Sequence, residues 1–73
     1  MTNTEAAAAV RRYNAMTERN PPAIAWTAIG IRLWTASHSL TGDAVTFVRD
    51  RANDAHARAD CARRTGAGYR RAS

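Results

Sequence analysis

Residues 21–40, PPAIAWTAIGIRLWTASHSL, hold seven of the fifteen large apolar side chains in this chain: Ile24, Trp26, Ile29, Ile31, Leu33, Trp34 and Leu40. The other eight, Met1, Val10, Tyr13, Met16, Val45, Phe47, Val48 and Tyr69, are spread over the remainder. Burial of apolar surface drives folding, so any core must be built around this segment. At about 100° per residue, Trp26, Ile29 and Leu33 share one side of a helix, whereas Ile24, Ile31 and Trp34 share another. Only Arg32, Ala25 and Ala28 are left toward water, and a helix apolar nearly all round is expected to be buried. Gly30 stands one turn from each indole in the row Trp26, Gly30, Trp34, at a propensity cost of roughly 1 kcal/mol relative to alanine. The notch it leaves suits a side chain of a neighbouring helix, such as Phe47 or Tyr13, or a side chain of a partner.

The flanking signals cut the chain into three helices. Thr2 with Glu5 matches a capping box, Thr4 offers a cap one turn later, and Ala6 to Ala9 are strong helix formers. Ala6, Val10, Tyr13 and Met16 or Thr17 form the apolar face of this first helix. Asn20-Pro21-Pro22 ends it, since a residue before proline is pushed out of the α region, and Asn20 can then cap the second helix. Ser37 to Asp43 reads as a turn, with Ser39 or Thr41 as a cap and Asp43 at the positive end of the third helix. Gly66 supplies the stop. These signals predict an all-α fold, a small three-helix bundle or helical hairpin with a long C-terminal helix and a short basic tail. The helices span about 4–19, 21–38 and 42–65 in a single domain, 1–65, followed by a flexible basic tail, 66–73.

The third helix carries an unusual pattern. Val45, Val48, Ala52, Ala55, Ala59 and Ala62 recur in steps of three and four, a heptad seam made mostly of alanine. Arg51 and Arg58 flank this stripe on one side, and Arg49, His56 and Arg63 on the other. Asp54 with Arg58, and Asp60 with Arg64, are pairs four residues apart that support a helix. With so few large residues, the distal part of the seam is expected to project past the second helix, without a partner inside the chain.

Charge and composition narrow the function. The formal net charge is +5, all eleven basic residues are arginine, and seventeen residues are alanine. This bias reports a GC-rich coding sequence, such as that of a high-GC bacterium or phage. A basic surface attracts nucleic acid, anionic lipid or acidic protein. One cysteine, Cys61, excludes an intramolecular disulfide framework and fits a reducing interior. The first residues, MTNTEAAAAVRRY, lack the pattern of a secretory leader, and Arg32 interrupts the only stretch resembling a membrane span. A cytoplasmic location is expected, or a virion-associated one if the chain is phage-encoded.

No catalytic residue, metal site or cofactor is expected. His56 and Asp60 share a helical face and Cys61 is adjacent, but one such pair surrounded by alanines makes neither a metal centre nor an enclosed nucleophile. The chain also lacks a glycine-rich loop preceding a helix, and no small-molecule substrate is expected. The expected function is therefore a non-enzymatic binding or assembly protein that docks, through its apolar central helix and basic third helix, into an oligomer or a larger protein complex. Trp26, Gly30, Trp34 and Phe47 are the candidate apolar contacts. Arg51, Arg58, Arg63, Arg64, Arg70 and Arg71 are the candidate basic contacts, for an acidic protein surface or a nucleic acid. The alternative is a nucleic-acid-binding accessory protein that contacts phosphates through these arginines. Membrane-surface binding has the least support, because Arg32 alone supplies charge on the apolar helix.

Overall fold

The structure, a computed structural model, describes residues 2–65 and the side chains of residues 4–64. The expected tail, with Arg70 and Arg71, and the capping side chain of Thr2 lie outside the described residues. Three helices make up the all-α fold: α1 (Thr2–Met16), α2 (Ala23–Ser37) and α3 (Asp43–Thr65). The principal interface is between α2 and α3; α1 lies mainly on α2 and touches α3 less.

The start of each helix follows from local chemistry, with one reassignment. α1 stops at Met16, earlier than its apolar periodicity suggests, and residues 17–19 form a tight turn in which the Arg19 and Asn20 amides both donate to the Met16 carbonyl, at 3.0 and 3.2 Å. Asn20 has φ 52°, the left-handed conformation that asparagine tolerates better than most residues and that commonly closes a helix. It therefore terminates α1 and does not cap α2. The N-cap of α2 is Pro22, in an extended conformation, with no side-chain capping bond. Between α2 and α3, Gly42 takes φ 63°, where a side chain would be strained, and lets α3 begin at Asp43.

The core pairs large with small. Trp26, Ile29 and Leu33 of α2 are buried, and so are Val48, Ala52, Ala55, Ala59 and Ala62 of α3. The alanine seam thus does not project into solvent. From Val48 to Ala62 it runs about 21 Å at 1.5 Å per residue, the length of the 15-residue α2. Small seam residues bring the helix axes close, so the bulky α2 side chains fill the interface alone. Burial of each is worth roughly 1.5–3 kcal/mol. α1 closes the core with Ala6, Ala9, Tyr13 and Met16.

Helices α2 and α3 run antiparallel, and their register is visible in side chains seven residues apart on α3. Arg49 Nε donates to Ser37 Oγ at 2.9 Å, the His56 imidazole sits on Gly30, and Arg63 donates to Thr27 Oγ1 at 3.3 Å. Ser37, the most deeply buried polar residue, also donates to the Trp34 carbonyl at 2.6 Å, so its burial leaves no polar atom unsatisfied. Because the seam is filled, Ala55→Leu is expected to destabilise the fold by about 1–3 kcal/mol through overpacking. Ala57→Leu, on an exposed position of the same helix, should be close to neutral; urea denaturation of the two variants checks this.

Candidate docking surface

The residues singled out in the sequence are divided between the interior and three separate surfaces. Trp26 is 2% exposed and packs edge-on against Tyr13, with ring centroids 6.0 Å apart. Gly30 is buried, and a methyl group built on it would meet Cε1 and Nε2 of His56 at 2.9 Å. The notch is therefore filled from within the chain, by His56 where Phe47 or Tyr13 was expected. Trp26 and Gly30 are not available to a partner, because the close approach of α3 seals that side of α2.

Trp34 and Phe47 do reach the surface, at 39% and 47% exposure, but on different sides. The guanidinium of Arg49 lies 4.5 Å from the Trp34 ring centroid, and that of Arg51 lies 3.6 Å from the Phe47 ring centroid. Residues 47 and 49 leave α3 about 200° apart, so the two aromatics cannot belong to one patch. Phe47 borders a groove of about 360 Å³ between α1 and α3, lined by Ala6, Val10, Leu40 and Val48 among others.

The arginines of α3 are engaged locally. Arg58 pairs with Asp54 at 2.6 Å and lies over Trp26, and Arg64 pairs with Asp60 at 2.8 Å. Arg51 donates to the Phe47 carbonyl at 3.1 Å. Asp54 is the hub of a small polar knot, since it also accepts from the Tyr13 hydroxyl and so ties α1 to α3. Partial burial would raise the Asp54 pKa, but the hydrogen bonds from Tyr13 and Arg58 and the charges of Arg58 and Arg51 outweigh it and hold the carboxyl below its ordinary value. The Tyr13 hydroxyl is pushed above its ordinary range by burial first and by the Asp54 carboxylate second. Among the described residues, no three His, Cys, Asp or Glu side chains are grouped to hold a metal ion. None of the helices is long and apolar enough to cross a membrane.

A further exposed apolar surface lies on α2. Ile24 and Ile31 are 77% and 57% exposed and stand seven residues apart on α2, about 180° around the helix from its buried side. With Trp34 at its edge, the strip runs most of the length of α2. Beside Ile31 is a hollow of about 400 Å³ lined by Glu5, Ala28, Arg32, Thr35 and Ala36. The helical wheel separates Ile24 and Ile31 from the Trp26 side, but it does not say that two neighbouring helices would leave them uncovered.

Two expectations test these contacts. Gly30→Ala should change stability by less than about 1 kcal/mol, because the gain in helix propensity is offset by displacement of His56; in a His56→Ala background it should stabilise by about 1 kcal/mol. Thermal melts of the four proteins close this cycle. Tyr13→Phe should cost about 1 kcal/mol at neutral pH, a figure reduced for the exposure of Asp54. The depressed Asp54 pKa stabilises the fold above the unfolded value near 4, and that contribution fades as pH falls through the lower folded value. The raised Tyr13 pKa contributes fully below about pH 10 and is lost above it. The gap between wild type and Tyr13→Phe should thus narrow at both extremes in pH-dependent denaturation. Compared with protein-family models, with curated proteins and with solved structures, the chain matches none.

Proposed function

We propose that this protein is a non-enzymatic helical docking module that binds another protein through the outward face of α2. The observation that carries the proposal is the Ile24, Ile31 and Trp34 strip: α2 has already filled its core side with Trp26, Ile29 and Leu33, yet it keeps a second apolar side in water. Contiguous exposed apolar surface with a charged rim is characteristic of interaction sites. The strip has Arg32 and Glu5 on one side and Arg49, His56 and Arg63 on the other.

The rim favours a different protein over a second copy of this one. A twofold dimer sets a patch against itself, which here would oppose a mainly basic rim, Arg32, Arg49 and Arg63, to its own copy, with Glu5 and the Arg64-paired Asp60 as carboxylates on the same faces. A partner helix with an apolar ridge and acidic flanks would meet both the strip and its rim. The nucleic-acid alternative draws less support, because Arg51, Arg58, Arg63 and Arg64 each spend donors within the chain. Action in the cytoplasm, or in a virion for a phage-encoded chain, belongs to the same proposal.

Designed amphipathic peptides test it. A peptide with a leucine ridge and glutamate flanks should bind at least about tenfold more tightly than the same ridge with lysine flanks. The double substitution Ile24→Glu/Ile31→Glu should abolish binding and leave the helical circular dichroism intact. Equal binding of the two peptides, or binding that survives the double substitution, would refute the assignment.

A further inference from the structure

Among the described residues, the five arginines of α3 have partners, and the other four, Arg11, Arg12, Arg19 and Arg32, have none. Arg12 on α1, Arg19 in the turn that follows and Arg32 on α2 line a single cleft of about 350 Å³ between the two helices. None of these guanidiniums forms an ion pair, hydrogen bond or ring contact with another described residue, whereas Arg49, Arg51, Arg58, Arg63 and Arg64 all do. Pro21, Ala25 and Ala28 supply accessible apolar lining above the buried Met16 and Ile29, and no carboxylate is among the lining groups.

Like charges gathered around one hollow repel, and water alone screens them. An anion in the cleft would relieve that repulsion and use guanidinium forks whose geometry suits phosphate oxygens. The start of α2 adds to the positive potential. Pro21 lines the cleft, and the N-cap Pro22 gives the first amides of α2 no side-chain acceptor.

We propose that this cleft binds a small phosphorylated molecule, its phosphate held among Arg12, Arg19 and Arg32 and its non-polar body resting on Pro21, Ala25 and Ala28. The volume lies at the lower end of the roughly 300–1,000 Å³ typical of small-ligand sites. A nucleic-acid backbone calls for cations spread along a track, whereas here three elements each contribute one to the same cleft. The site goes beyond the docking proposal and shares only Arg32 with the rim of the α2 strip.

The test uses the full chain at low ionic strength, with phenyl phosphate and inorganic phosphate followed by calorimetry and by amide chemical shifts. Phenyl phosphate should bind saturably and several-fold more tightly than inorganic phosphate, because only it covers the apolar lining. Arg12→Gln and Arg19→Gln should each weaken it about tenfold. Arg64→Gln, which removes the same charge outside the cleft, should change it less than twofold. Absence of saturable binding at millimolar phenyl phosphate overturns the proposal. An equal loss in Arg64→Gln also overturns it, since affinity would then follow net charge alone. So does tighter binding of a single-stranded oligonucleotide with losses spread evenly over the three variants. Arg32 is left intact, so the outcome is independent of whether the α2 strip docks a protein.

Discussion

The close approach of α2 and α3 is the contact from which the remaining features follow. Trp26, Ile29 and Leu33 project from one helix, and Val48, Ala52, Ala55, Ala59 and Ala62 receive them on the other. Alanine contributes little area of its own, but it lets backbones approach, so that each large side chain gains dispersion contacts over most of its surface. In this way a short chain with few large residues closes a continuous core. The stagger is held from one flank by Arg49, His56 and Arg63, which meet Ser37, Gly30 and Thr27 in turn along an antiparallel neighbour. Gly30 belongs to that register: its missing side chain is the space the imidazole occupies.

The same geometry sets what remains for other molecules. Two helices cover only part of the circumference of a third, and α2, central in sequence and in space, is apolar on more of its circumference than α1 and α3 reach. Ile24 and Ile31 are left over for that reason. The α3 arginines, by contrast, stack on Trp26, Trp34 and Phe47 or pair with Asp54 and Asp60 at the surface. Such exposed pairs contribute little stability individually, but they occupy the donors that a phosphate or carboxylate would need. Among the described residues, the arginines that make no such contact lie elsewhere, Arg11 beside the groove between α1 and α3, and Arg12, Arg19 and Arg32 along one cleft between α1 and α2.

The Tyr13, Asp54, Arg58 and Trp26 cluster shows how α1 is held to the rest. Its apolar face is narrow, with Ala6, Ala9, Tyr13 and Met16 buried. The polar knot adds direction to that contact: the Tyr13 hydroxyl reaches Asp54 while its ring packs on Trp26. A hydrogen bond to a carboxylate that is already oriented by an i+4 arginine is well suited to fixing one docking angle among several that a small apolar face would permit.

By itself the sequence determined the three helices, the proline punctuation after Asn20, the two sides of α2, the alanine seam with its flanking cations and the Asp54–Arg58 and Asp60–Arg64 pairs. These are local properties, set by backbone preference and by periods of three and four residues, and they need no knowledge of neighbours. Only the tertiary structure decided that Asn20 closes α1 instead of capping α2, that the seam is covered along its length, and that His56 fills the gap at Gly30. It also decided that Trp26 lies inside while Ile24 lies outside, and that Trp34 and Phe47 face different ways. Each of these depends on how near one helix comes to another and in what register. A helical wheel gives the angle at which a side chain leaves its own axis, whereas the distance to the next axis is set by the residues of both helices together.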